Sequence, residues 1–272
     1  MTASGASLAA FIPSATEQPL LWLFVAAHLL GDALLHSGSR GRDENRAPSL
    51  LVRISTVVGI HLVVVAPILR PSVLLAASLA AAAHVVVGRA EQGSGHTHTR
   101  RIGSFLAVQV GHLTIAATAA ILFALRGDPR PHLPFDVLTT WTAVVFTAGV
   151  FAFVWSGGDT IVRATLRSVR VPLNSAEGSD LDEGPEKAPE TGPPGSGRMI
   201  GILERTIALI LLLLGEWTAL ALLLAAKSIA RFEELKRREF AEYYLIGTLT
   251  SLLVAILAGV VLTAVWAAAG FP

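Results

Sequence analysis

The chain has 272 residues, 53% of them hydrophobic and 15% charged, with a formal net charge of +1. Its mean hydropathy of +0.61 lies above that of an ordinary soluble domain, so the composition reads as that of a membrane protein. No cysteine is present, which excludes disulfides and thiolate metal sites and leaves His, Asp, Glu and amides as candidate ligands.

Crossing a hydrocarbon core takes about 20 residues of helix. Taken in chain order, apolar runs of this kind are predicted at Pro19 to Leu35, Leu51 to Leu69, Ser72 to Gly88, Gly103 to Leu125 and Phe135 to Trp155. Most of them end at Gly, Pro or clustered charges. The stretch from Asn174 to Gly197, NSAEGSDLDEGPEKAPETGPPGSG, holds six acidic residues and one Lys, the composition of a disordered linker. Met199 to Leu214 and Trp217 to Phe232 follow, parted by Gly215-Glu216, as two spans or one re-entrant hairpin. Ala241 to Gly270 is the last span. The expected architecture is an all-α bundle of about eight spans, divided into a five-span half (1–172), a cytoplasmic linker (173–198) and a three-span half (199–272).

Basic residues concentrate in loops that stay in the cytoplasm. With the N-terminus outside, the segments after spans one, three, five and seven carry 17 of the 21 Lys and Arg, and the outer loops carry only Arg70, Arg126 and Arg130. Both ends are therefore expected outside. The N-terminus lacks the basic start of a cleavable signal peptide, so the first span is expected to be retained.

Against this apolar background the polar residues of the first four spans stand out. His28 and Asp32 are four residues apart in HLLGD and share a helix face with His36. The second span carries His61, the third His84, and the fourth Gln109 and His112, three apart. Counted inward from the cytoplasmic ends at about 1.5 Å per residue, Asp32 and His84 lie about 6 Å deep and His28, His61 and His112 about 12 to 15 Å. A charged group at such depth costs at least about 2.5 kcal/mol and normally faces a bundle interior, paired or functional. Imidazole with carboxylate suits zinc or iron, with an open position for water. Without metal the same groups could relay protons, or simply hydrogen-bond the helices together. His96 and His98, in a loop of glycines and charges, could grip a metal but are read as a solvated turn, and His132 in a Pro-rich outer loop carries no signal.

The HLLGD segment, the single histidines of spans two and three, the Gln and His pair of span four, and the stretch GRMIGILERTIALILLLLGEWTALALLLAAKSIARFEELKRREFAEYYLIGTL resemble an uncharacterised family of bacterial polytopic membrane proteins, the domain of unknown function three-three-zero-seven. The resemblance covers nearly the whole chain apart from the linker and fifth span. It implies a multi-pass protein of the bacterial inner membrane with polar positions at His28, Asp32, His61, His84, Gln109 and His112, and no assigned activity. Members often carry an Asp where this chain has Gly88 and another where it has Val108, so two carboxylates of the pattern are missing here.

In the C-terminal half, Glu204 is expected to pair with Lys227 or Arg231, while Arg205, Lys227 and Arg231 could hold a phosphate or an anionic headgroup. Three functions stay open. One is a metal-dependent hydrolase acting on a lipid-borne substrate at the inner leaflet, with zinc or iron on His28, His61, His84 or His112 and Asp32 as ligand or base. Another is a proton or divalent-cation transporter. The third is a membrane scaffold. The bilayer is the expected partner, and no nucleic-acid partner is expected.

Overall fold

The computed structural model describes residues 19–38, 50–68, 71, 73–82, 101–124, 134–168 and 196–270. Among these the regular structure is helical. The helices are α1 (Pro19–Gly38), α2 (Leu50–Val65, continued as a 3-10 turn over Ala66–Ile68), α3 (Val73–Ala82), α4 (Arg101–Ala124), α5 (Phe135–Ser168), α6 (Ser196–Leu214), α7 (Trp217–Ala230), the single turn α8 (Phe232–Leu235) and α9 (Arg238–Ala268). Most of the acidic linker, and the third span beyond Ala82, lie outside the described residues.

Two of these helices, α5 and α9, are long and apolar enough to cross a membrane. Side-chain placement departs from that of a water-soluble domain. Val63, Leu79, Leu222 and Ile229 are more than half exposed, and Leu245, Leu249, Leu253 and Leu257 form an exposed stripe at four-residue spacing along α9. Meanwhile His28, Asp32, His61, Gln109, His112, Asp159 and Arg205 are buried. Apolar stripes of this length without cover are unusual on a monomer in water.

The chain forms two compact units. The first takes residues 1–95, 103–156 and 260–272, and the second 96–102 and 157–259. This division differs from the halves 1–172 and 199–272 read from the sequence. The reason is helix length. At 34 and 31 residues, α5 and α9 are about 51 and 46 Å long, and each contributes its two ends to different units.

Within the first unit, α1 packs on α2 through Gly31, whose Cα leaves room for Val57 and Ile60. It packs on α5 more tightly. A Cβ on Gly149 would stand 3.2 Å from the Ala26 carbonyl oxygen and 3.3 Å from its Cα, so glycine is what lets these backbones approach. Trp22 sets its ring edge-on to Phe146 at 5.2 Å between centroids. Two indole N–H groups tie further helices to α5 or from it. Trp141 donates to the Val64 carbonyl at 3.0 Å, and Trp266 donates to Thr147 Oγ1 at 3.0 Å.

In the second unit, α6 and α7 form a hairpin closed at Gly215, which adopts φ +75°. The Glu216 N–H reaches the Leu211 carbonyl at 2.8 Å and the Gly215 N–H reaches Leu212 at 3.1 Å. These two bonds satisfy carbonyls that a helix end otherwise leaves open, and the left-handed residue between them favours glycine. Ala208, Leu220 and Ala255 form the core where α6, α7 and α9 meet.

Candidate functional site

The polar residues of the first unit sit on helices that have no other reason to carry them. His28 and Asp32 lie one turn apart on α1, and Gln109 and His112 three residues apart on α4, so each pair shares a face. The structure brings these two faces together. Gln109 Nε2 donates to Asp32 Oδ2 at 2.9 Å, while Gln109 Oε1 stands 2.8 Å from His28 Nε2. An ionised carboxylate can only accept hydrogen bonds. Gln109 must therefore turn its NH2 toward Asp32 and its carbonyl toward His28, which makes His28 an Nε2–H donor. The amide is a bridge between an imidazole and a carboxylate. His112 lies beside it, its ring centroid 4.5 Å from that of His28 with the planes inclined at 52°.

His61 is buried on α2, with its ring 6.3 Å from that of Phe24. Its Nδ1 lies 2.9 Å from the carbonyl of Val57 one turn earlier. A carbonyl accepts only, so Nδ1 carries the proton and Nε2 keeps its lone pair. His84, His96, His98 and His132 lie outside the described residues. Among the described residues, no three His, Asp or Glu side chains converge in a group able to hold a metal ion. The buried threonines of α5 close on their own helix instead, as with Thr139 to Phe135 O and Thr142 to Leu138 O.

A second constellation, which the sequence does not single out, gathers in the second unit. Asp159 is only 5% exposed. Arg163 grips it with two nitrogens, Nε to Oδ1 and Nη2 to Oδ2, each at 3.2 Å. Arg198 Nε lies 3.3 Å from Asp159 Oδ2. Arg205, 3% exposed, is within electrostatic range of Asp159, Glu204, Arg163 and Arg198. Glycine at 158 gives the Arg205 guanidinium room: a Cβ there would lie 3.1 Å from Arg205 Nε, which would have to shift by a few tenths of an ångström. In the sequence Arg163 and Arg198 count only toward the cytoplasmic charge excess, and the fifth apolar run ends at Trp155. The signal for the cluster is nonetheless present, since Asp159 and Arg163 are an i,i+4 pair of opposite charge.

Of the expected basic trio, Lys227 donates to Glu204 and lies 5.5 Å from the Tyr244 ring centroid. Arg231 instead meets Glu234 at 3.4 Å, both about half exposed. Arg205, Lys227 and Glu204 line a small cavity of about 20 Å³ in this unit, whose other walls include Leu223, Leu252 and Ser251. No family model matches the chain, and no curated protein or solved structure matches it either.

Proposed function

We propose that the chain is a multi-pass protein of the bacterial inner membrane, with about eight spans and both termini outside, and that its first unit carries a proton-binding site used in proton transport. Membership of the uncharacterised family named above belongs to the same proposal. The membrane reading draws support from the long apolar helices α5 and α9 and from the exposed leucine stripe of α9. The proton reading is carried by one observation, the Gln109 amide that joins His28 Nε2 to Asp32 Oδ2. The imidazole and the carboxylate can each take up and release a proton, and the neutral amide between them, which passes no proton itself, holds both in place by hydrogen bonds. The described residues do not supply three convergent ligands.

The test is proton flux into liposomes that contain the purified protein, a pH-sensitive dye and an imposed potassium diffusion potential. Wild-type vesicles are expected to change internal pH faster than empty vesicles, and Asp32→Asn vesicles to match the empty ones. Wild-type vesicles no faster than empty ones would end the proton reading.

A second reading, the metal-dependent hydrolase acting on a lipid-borne substrate with zinc or iron, retains one specific support. His61 anchors Nδ1 on a backbone carbonyl, which is how proteins orient a histidine whose Nε2 is a metal ligand. Stoichiometric zinc or iron in the purified wild type, lost in His61→Ala, would favour it over proton transport.

A further inference from the structure

Glu204 and Lys227 form an ion pair on helices that are mostly apolar. Lys227 Nζ donates to Glu204 Oε2 and stands 5.5 Å from the Tyr244 ring centroid, so one cation ties α6, α7 and α9 together. The side chains of Lys227 and Glu204 are largely withdrawn from the surface, 24% and 20% exposed. Withdrawing two charges costs more than their attraction returns unless further hydrogen bonds satisfy the lone pairs and protons left over. A carboxylate offers about four acceptor sites. Among the described residues the second oxygen of Glu204, Oε1, has no hydrogen-bond partner.

Polar groups that could meet this need stand on α9. Tyr244, Thr248 and Ser251 recur at i, i+4 and i+7 and so share one face, while Leu245, Leu249 and Leu253 occupy another that is exposed. Hydroxyls on apolar helices turn back to the carbonyl one turn earlier, as those of Thr142, Thr147, Thr165 and Ser228 do. Among the described residues, Thr248 and Ser251 make no such bond. Both instead line the small cavity described above, together with Glu204, Arg205 and Lys227. At about 20 Å³ the cavity exceeds the roughly 10–15 Å³ that one water requires, and its lining supplies the roughly two to four polar partners that a buried water needs.

We propose that this cavity is a binding site for a single water molecule, which joins the Glu204 carboxylate to the Thr248 and Ser251 hydroxyls and so keeps the Glu204–Lys227 pair charged between apolar helices. The water donates one hydrogen to the carboxylate and the other to one hydroxyl, and accepts from the second hydroxyl, so its own bonding is met as well. A volume of this size excludes an acyl chain or an inorganic phosphate. The site lies wholly in the second unit and shares no residue with the proton site proposed for the first.

The test is thermal unfolding of the full chain in mild detergent. Ser251→Ala and Thr248→Val each remove one hydroxyl at little change of shape. With water bound, each should lower the unfolding midpoint by about 2–4 °C, the shift expected for one lost hydrogen bond, even though alanine is a better helix former than serine. A dry cavity predicts the opposite, because an apolar wall then replaces a hydroxyl that bonds nothing, and midpoints unchanged or raised would overturn the proposal. The same two substitutions are also made in a Glu204→Met, Lys227→Met background, which lacks the ion pair. There the drop should vanish; a drop as large as in the parent chain would show that the hydroxyls serve α9 alone. Should that background fail to fold, infrared spectra of the single variants decide. The Glu204 carboxylate band, identified by its loss in Glu204→Gln, should shift in both hydroxyl variants, and a band that stays in place in either one would rule out the shared water.

Discussion

Gln109 is the residue on which the first site depends. It satisfies two buried titratable groups at once, and leucine in its place would leave His28 and Asp32 without that bridge. Leaving a buried polar partner unsatisfied costs about 1–3 kcal/mol, so Gln109→Leu is expected to lower the midpoint of thermal unfolding in detergent. Gln109→Glu should be worse than Gln109→Asn, because a second carboxylate facing Asp32 adds like-charge repulsion. Unfolding midpoints for all three, measured in one buffer, check the order. At Asp159 the logic is reversed, since one anion serves several cations. Asp159→Asn keeps the shape but removes the charge around which Arg163 and Arg198 assemble, and is expected to destabilise the protein by about 3 kcal/mol. Added salt should recover part of that loss by screening the exposed arginines, an effect that a packing defect would not show.

At the scale of elements, helix contacts divide into those that need glycine and those that merely contain it. Gly149 is the close-approach position between α5 and α1. The atoms a new methyl would meet there belong to the α1 backbone, which cannot move aside locally. Gly149→Ala is therefore expected to cost about 1–3 kcal/mol by overpacking. At Gly59 on α2 an added Cβ would meet nothing within 4 Å, and Gly59→Ala should stabilise the helix by about 0.5–1 kcal/mol. Paired unfolding curves for the two variants should move in opposite directions; movement in the same direction would contradict the α1–α5 contact.

Much of the helix order was legible because length and hydropathy dominate it. The starts and stops of α1, α2, α4, α6 and α7 lie within a few residues of the apolar runs. The i,i+4 pair His28 and Asp32 and the i,i+3 pair Gln109 and His112 were also legible, since helical spacing alone puts each pair on one face. That α1 would meet α4 through Gln109 was not, because which helices become neighbours depends on packing over many residues. The continuation of α5 through Ser156-Gly157-Gly158-Asp159 is hidden for a different reason. Two glycines and an aspartate read as a helix stop, yet in the fold Gly158 makes room for Arg205 and Asp159 is neutralised one turn on by Arg163.

At the scale of the whole molecule, topology is the property most open to direct measurement. The chain has no cysteine, so single cysteines can be introduced without removing any native thiol. With both termini outside, Ser14→Cys should react with a membrane-impermeant maleimide on intact cells. Ser179→Cys, in the acidic linker, should react only after the cells are permeabilised. Labelling of both on intact cells would require an odd number of spans between them to become even, and would overturn the five-plus-three arrangement. The same pair of measurements tests the assignment of the Lys and Arg excess to the cytoplasmic side.

In a bilayer, the length of the α6–α7 hairpin would bear on the lipid around it. With 19 and 14 residues, its arms are about 28 and 21 Å long, and the shorter falls well below a hydrocarbon core of about 30 Å. Arg231 and Lys236 close the second arm, so lengthening it would draw charge into hydrocarbon. In a membrane the bilayer is softer than the hairpin, and the mismatch is relieved by local thinning and by snorkelling of Lys227. The protein should then gather shorter acyl chains at its perimeter and unfold at higher temperature in vesicles of short-chain lipid than in long-chain ones, which makes membrane thickness itself a variable that can tune this fold.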